Sequence, residues 1–189
     1  RETEAEPFRP VLTTNFKEGV SFATFTPDNK LVYAITNLGR DKSALVLMDP
    51  ATCEELEQLY TNDKYDLGGL WYSDAQKKLL GVSYEGHKGK TRYFFDKATE
   101  EMLGRMERHL RGYEIGIGGS NKAEDKYIVY AGGDRTMGAY YFYDVKSDTM
   151  TKLADLAPWI DEQQMAEMTP VTYTSRDGLE IEGYLTLPV

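Results

Sequence analysis

The amino-acid sequence repeats itself at an interval of 47 to 48 residues. Hydroxyl residues mark the repeat at an interval of 47, at Thr26, Ser73 and Ser120. Lysines mark it at an interval of 48, at Lys30, Lys78 and Lys126. Each lysine is followed by a run of β-forming residues (LVYAI, LLGVSY and YIVYA). A period of this length indicates that one supersecondary unit is stacked several times along the chain.

A second landmark keeps the same period. Aspartates recur at intervals of 47 and 48, at Asp49, Asp96 and Asp144, and a hydroxyl residue follows each three positions later, at Thr52, Thr99 and Ser147. Asp, Thr and Ser side chains bond to the backbone N–H groups of tight turns. We therefore predict a hairpin turn between two strands at this point of every repeat.

Each repeat is predicted to hold four short strands. In the first repeat these are Ser21–Thr26, Leu31–Thr36, Ala44–Met48 and Leu56–Tyr60. In the second they are Leu70–Ser73, Leu79–Tyr84, Arg92–Phe95 and Met102–Met106, and in the third Ile115–Gly119, Tyr127–Ala131, Ala139–Tyr143 and Met150–Leu153. Four strands per 40–50 residues are typical of a β-propeller blade. A β-sandwich with chance spacing is the alternative, but two independent landmarks hold the period and favour the propeller.

The predicted fold class is all-β: a partial β-propeller of about three four-stranded antiparallel blades, followed by a short linker and a β-hairpin. The segment 154–170 (ADLAPWIDEQQMAEMTP) predicts a short helix or irregular connector anchored by Trp159. Strand, turn and strand then follow at Val171–Thr174, Ser175–Gly178 and Leu179–Leu187. The expected boundaries are 1–19 for a tail and the end of a preceding blade, 20–66, 67–112 and 113–157 for the blades, 158–170 for the linker and 171–189 for the hairpin.

Charge and composition exclude several classes of function. The net charge of −9 argues against nucleic acid and against anionic membrane surfaces as partners. No apolar run approaches the ~18 residues of a membrane span. Cys53 is the single cysteine, so no internal disulfide or thiolate metal cluster is expected, and a small packed side chain is the simplest interpretation. No signal-peptide pattern is present. The compartment of the protein stays open between cytoplasm and periplasm, and we favour the periplasm slightly.

Two stretches resemble known families. The turn "FTPDNKLVY" from Phe25 resembles the TolB-like, WD-related propeller repeat. The stretch 156–188 (LAPWIDEQQMAEMTPVTYTSRDGLEIEGYLTLP) resembles the propeller-to-hydrolase junction of the prolyl oligopeptidase (S9) family of serine peptidases, most closely its acylaminoacyl-peptidase-like branch. The matching hairpin positions are Tyr173, Ser175, Asp177, Gly178, Ile181, Gly183, Tyr184, Leu185 and Pro188.

The resemblance implies that the hairpin is the first element of a truncated α/β-hydrolase domain. In the intact protein, the remainder of that domain would supply a Ser-Asp-His triad, and peptide substrates would reach it past the propeller. The chain itself would be a non-catalytic gating wall. A TolB-like interaction propeller, or a propeller-linked esterase, remains open as an alternative.

No residue of the chain is predicted to be catalytic, cofactor-binding or metal-binding. Ser83 in "GVSYEG" lacks the second glycine of G-x-S-x-G, because residue 85 is Glu, and no helix is predicted after it. His87 and His109 are interpreted as solvated surface residues. The segment 116–122 (GIGGSNK) fails both phosphate-loop patterns, and a strand follows it.

Two acidic pairs, Glu54-Glu55 and Glu100-Glu101, fall at equivalent repeat positions and predict charged outer hairpins rather than a metal site.

Three blades cannot close a ring of the usual size. The isolated chain is therefore expected to expose a strand face on its first and last blades, and to self-associate through these faces.

Overall fold

The computed structural model describes residues 4–188, which form four antiparallel sheets. The chain divides into two compact units, Arg1–Glu85 with Thr91–Tyr93, and Gly86–Lys90 with Phe94–Val189. Among the described residues, no helix is both long enough and apolar enough to cross a bilayer. The predominance of antiparallel strands confirms the predicted all-β class and fits a partial propeller.

The first sheet has the order β1-β2-β3-β4. Its strands are β1 (Val20–Phe25), β2 (Val32–Thr36), β3 (Ala44–Met48) and β4 (Glu55–Thr61). All four predicted strands of the first repeat are confirmed, and each of their ends lies within one residue of the predicted position. Their β-branched and aromatic residues suit a pleated surface that is covered on both sides.

Both faces of the central strands β2 and β3 are buried. Ala34, Val46 and Met48 lie on one face and are 0% exposed, with Cys53 packed against them. Leu45 lies on the opposite face, in a cluster with Leu67 and Val82 of the next sheet. The expectation that the first blade exposes a strand face is therefore wrong for β2 and β3. The segment before β1 and the turn after β3 lie beside the first face. Together with β1 they form a groove of about 370 Å³, and its lining includes Val11, Leu12, Val20, Phe22 and Cys53.

The second sheet contains three strands rather than four. They are β5 (Leu67–Ser73), β6 (Lys78–Gly86) and β7 (Gly89–Phe94). The predicted fourth strand, Met102–Met106, is wrong, because this segment lies within an α-helix, α1 (Lys97–His109).

Local interactions explain why this segment is helical. Asp96 is the N-cap: its carboxylate accepts from the backbone N–H of Thr99 at 2.9 Å and from the Thr99 hydroxyl at 2.7 Å. Glu100 lies in the first turn, where the helix dipole favours negative charge, and His109 lies in the last turn. One stripe of the helix is buried, formed by Thr99, Met102, Leu103 and Met106. Their spacing of three and four residues is the helical period.

The third sheet has the order β11-β10-β9-β8. Its strands are β8 (Glu114–Ser120), β9 (Lys126–Gly133), β10 (Thr136–Asp144) and β11 (Thr149–Asp155), as the sequence predicts. Side chains alternate between the faces of β9 and β10, and Val129 and Tyr143 are buried on one of them. The opposite face, here called the outer face, carries Ile128, Tyr130, Tyr140 and Phe142. Ile128 is 37% exposed and Tyr140 is 38% exposed.

The turns after β1, β5 and β8 share one backbone conformation, which explains why a hydroxyl residue and a lysine recur at these positions of the sequence. Each contains a residue in the left-handed region: Asn29 (φ 57°), Lys77 (φ 53°) and Glu124 (φ 53°). In the first of these turns the Thr26 hydroxyl accepts from the N–H of Leu31 at 3.1 Å. The repeated hydroxyl and lysine positions therefore flank a tight hairpin turn.

The last part of the chain is a 3-10 turn (Glu162–Gln164) followed by two paired strands, β12 (Met168–Thr174) and β13 (Glu180–Thr186). The predicted hairpin is confirmed, although β12 begins at Met168 rather than Val171. Pro170 is tolerated inside β12 because this two-stranded sheet leaves one edge of each strand unpaired.

Candidate functional site

Ser83 lies in the middle of a strand. It is paired with Gly69 of β5, and β6 continues to Gly86 before turning into β7. A nucleophilic serine of a hydrolase stands on a strained turn between a strand and a helix. The structure therefore gives Ser83 no feature of a catalytic nucleophile.

The glycine-rich segment belongs to β8, and the turn that follows it is held by Asn121. The Asn121 side-chain oxygen accepts from the N–H groups of Asp125 and Lys126, both at 3.1 Å. A strand follows this turn rather than the helix N-terminus that would hold a phosphate.

The two acidic pairs occupy different environments. Glu55 begins β4 and forms an ion pair with Arg40. Glu100 and Glu101 lie in the first turns of α1, so the prediction of an outer hairpin is wrong for this pair. Within residues 4–188, no group of three His, Cys, Asp or Glu side chains lies close enough together to hold a metal ion.

His109 belongs to a hydrogen-bonded cluster that fastens α1 to the third sheet. Its Nε2 lies 3.2 Å from Oδ1 of Asp148, which also accepts from the Tyr143 hydroxyl at 2.6 Å. Arg105 donates from Nε to the same hydroxyl at 3.3 Å. Burial, followed by the bond to Asp148, raises the pKa of Tyr143, and the bond from Tyr143 lowers the pKa of Asp148. We interpret this cluster as structural.

His87 is not the solvated loop residue that the sequence predicts. It stands in the turn between β6 and β7, and its side chain is only 16% exposed, because it packs on one face of the β12–β13 hairpin. Its Nδ1 is 3.7 Å from Oε2 of Glu182, its Nε2 is 3.5 Å from the Thr172 hydroxyl, and its ring centroid is 5.8 Å from that of Tyr184. Register places these three partners on the same hairpin face.

Replacing His87 with alanine is expected to loosen the hairpin without unfolding the sheets. The variant loses the aromatic and polar contacts to β12 and β13, which lowers the local opening free energy of the hairpin by about 1 kcal/mol. Amide hydrogen exchange should therefore speed up in β12–β13 and stay unchanged in β2 and β3. Lys88→Ala, at the neighbouring exposed position, is the matched control, and equal exchange in both variants would refute the contact.

Most of the polar contacts to the linker converge on one end of the third sheet. Because β8 and β9 are antiparallel, the start of β8 and the turn between β9 and β10 lie at the same end. Here the Tyr113 hydroxyl donates to both carboxylate oxygens of Glu162, at 3.0 and 3.2 Å. Asp134 accepts from the backbone N–H of Met168 at 2.6 Å. We call this the junction end, because the chain leaves the sheet here for the hairpin.

A pocket of about 120 Å³ opens at the junction end. Arg111 and Arg135 line it together with Asp134, Glu162 and Tyr113. The hydrogen bond to Glu162, followed by burial, raises the pKa of Tyr113, so this hydroxyl stays a donor at neutral pH. Sequence reasoning missed this pocket, because its two arginines are separated by a whole β-hairpin and carry no motif.

Three solved peptidase structures have a similar fold. Prolyl oligopeptidase B from Galerina marginata, bound to a 35mer hydrolysis and macrocyclization substrate, matches 92% of the chain with a TM-score of 0.58 at 17% identity. A prolyl endopeptidase matches 98% of the chain with a TM-score of 0.61 at 14% identity. Dipeptidyl peptidase 4 from Porphyromonas gingivalis matches 85% with a TM-score of 0.50 at 13% identity.

The chain spans about a quarter of the length of these proteins, 24% of the first, 26% of the second and 22% of the third. No protein-family model matches the sequence, and no curated protein matches it either. At these identities the likeness concerns the fold alone. The chain thus shares the fold of part of the prolyl oligopeptidases and of dipeptidyl peptidase 4 that it matches.

Proposed function

We propose that the chain is the propeller-and-junction part of a serine peptidase of the prolyl oligopeptidase family, of the acylaminoacyl-peptidase-like branch, with TolB-like blades. In this proposal the catalytic Ser, Asp and His belong to an α/β-hydrolase domain outside the chain. The blades form a wall that restricts access of peptides to that domain. The observation that carries the proposal is the β12–β13 hairpin, since an interaction propeller has no use for it.

The two faces of the hairpin support this role. One face packs on His87 through Thr172, Glu182 and Tyr184. The other face carries Val171, Tyr173, Ile181 and Leu185. Tyr173 is 58% exposed and Leu185 is 46% exposed. A two-stranded hairpin with an apolar face needs further strands or a helix to cover it. The strands of a hydrolase sheet fit this requirement.

The test of the proposal is the reading frame that encodes the chain. We expect G-x-S-x-G within roughly the next 150 codons after Val189, followed by Asp and then His, the order of the α/β-hydrolase triad. The extended protein should hydrolyse acyl-aminoacyl chromogenic substrates, and replacing the serine of that motif with alanine should abolish turnover. A stop codon directly after Val189 would contradict the proposal.

The 189-residue chain alone is expected to have no peptidase or esterase activity. Ser83 is paired in the middle of β6 and does not stand on the strand-to-helix turn that presents a nucleophilic serine, so we expect it to attack no acyl group. Assays with aminoacyl and acyl-aminoacyl substrates should give equal background rates for the wild type and for Ser83→Ala. Turnover that disappears in Ser83→Ala would refute the assignment of a non-catalytic role.

We also propose that the isolated chain self-associates through the outer face of the third sheet. In the whole protein, this half-exposed face fits the packing of a further blade, because propeller blades cover each other's apolar faces.

A further inference from the structure

The two guanidinium groups of the junction pocket have no partner within the described part of the chain. Arg111 and Arg135 form neither a hydrogen bond nor an ion pair with residues 4–188, although both line the same pocket. The pocket also contains two carboxylates, which could have neutralised them. Each carboxylate instead accepts a hydrogen bond from a neutral donor: Glu162 from the Tyr113 hydroxyl, and Asp134 from the backbone N–H of Met168.

This arrangement keeps the arginines available. Glu162 is held by Tyr113 and Asp134 by the start of β12, so neither carboxylate is oriented towards a guanidinium. An arginine side chain presents several N–H donors in a planar fork that matches a carboxylate in bidentate geometry. Two such forks at one pocket favour a carboxylate ligand.

The pocket has room for such a ligand. Gly112 and Gly133 line it, and a Cβ added at either position would meet no atom within 4 Å. A carboxylate and the adjoining peptide unit fit a volume of about 120 Å³. The remaining lone pairs of Asp134 and Glu162 can accept from a peptide N–H beside that carboxylate. The mixed lining therefore suits the end of a peptide better than a bare anion such as phosphate.

We propose that the junction pocket binds the carboxylate of a peptide, with Arg111 and Arg135 as the donors. The peptide as ligand rests on the proposed function; the pocket and its free arginines do not. The carboxylate can come from the C-terminus of a peptide or from an acidic side chain, and both sources share the chemistry that the arginines recognise.

Binding is measured on the chain itself by NMR, from the Arg Nε–H signals and the amide signals of Gly112 and Gly133. Three probes are titrated: N-acetyl-alanyl-alanine with a free carboxylate, its C-terminal amide, and N-acetyl-glutamate amide. We expect saturable shifts with the free carboxylate and none with the alanine amide. Saturation by the glutamate probe alone would assign the site to acidic side chains, and saturation by acetyl-alanyl-alanine alone would assign it to C-termini.

Substitutions identify the donors. Arg111→Gln and Arg135→Gln should each weaken carboxylate binding by about tenfold or more, because a charge-assisted bidentate contact is lost. Arg176→Gln, in the exposed turn of the hairpin, is the matched control and should bind like the wild type. Gly133→Ala should also weaken binding while the chain keeps its melting temperature, since the added methyl group meets no protein atom.

No saturable shift with either carboxylate probe, shifts with the alanine amide as large as those with a carboxylate probe, or unchanged affinity in both arginine variants would each overturn the proposal. The outcome is separate from that of the proposed function. A stop codon after Val189 together with saturable carboxylate binding would refute the peptidase assignment and leave the site. A downstream triad together with no carboxylate binding would do the reverse.

Discussion

Replacing Met106 with alanine is expected to lower the free energy of unfolding by about 2–5 kcal/mol. Met106 is 0% exposed and belongs to the buried stripe of α1. The substitution removes three heavy atoms from this packed site, and the cost combines the lost burial with the cavity that is left.

Urea unfolding of wild type and variant measures the effect, with Arg108→Ala as the control on the exposed side of the same helix. The control is expected to stay within about 0.5 kcal/mol of the wild type. A third variant tests the helix itself: Gly104→Ala should raise stability by about 0.5–1 kcal/mol. A Cβ there meets only Arg108 Nη1, at 3.8 Å, an ordinary contact. If Met106→Ala is no more destabilising than Arg108→Ala, the packing of α1 described here is wrong.

The helix shows where reasoning from the repeat fails. The Asp-x-x-Thr pattern predicts a hairpin turn at all three positions, and at Asp49 and Asp144 it forms one: Asp49 accepts from the N–H of Ala51 at 2.7 Å, and Asp144 from that of Lys146 at 3.0 Å. At Asp96 the same two residue types form a helix N-cap. Both structures need a carboxylate that accepts from a backbone N–H two or three residues on.

The residues after Asp96 contained the signal that separates a helix from a hairpin. Acidic residues follow at 100 and 101, and buried residues then recur at helical rather than strand spacing. The prediction of a strand at Met102–Met106 followed the repeat rather than this local pattern. Where the local pattern and the repeat agree, as in β2 and β3, the strand boundaries are predicted within one residue.

The site contacts could not be predicted, for a different reason. His87 and Glu182 lie far apart in the sequence, and Arg111 and Arg135 are joined only through the pairing of β8 with β9 and of β9 with β10. A turn or a cap depends on a few neighbouring residues, whereas these contacts depend on how the hairpin and the sheet are placed. The sequence can identify the hairpin, but not the side chain that it covers.

The isolated chain is expected to form a dimer at micromolar concentration through the outer face of the third sheet. Ile128 and Tyr140 are each more than a third exposed on this face, although both lie in central strands of a four-stranded sheet. Covering about 500 Å² of apolar surface at ~25 cal/mol per Å² contributes on the order of 10 kcal/mol. This is comparable with the ~4–15 kcal/mol that association costs, so burial on this scale can sustain a dimer.

Sedimentation measures the outcome directly, as a species of twice the 21.5 kDa of one chain. Ile128→Lys places a charge at the centre of the outer face and should return the chain to a monomer, since an unpaired charge is costly to bury. Leu56→Lys in β4 is the control: Leu56 is 53% exposed, lies in the other unit, and its substitution should leave the dimer intact. A monomeric wild type, or a dimer that Leu56→Lys disrupts and Ile128→Lys does not, would show that this face is not the interface. Under the proposed function, the second copy occupies the place that a further blade would take on this face.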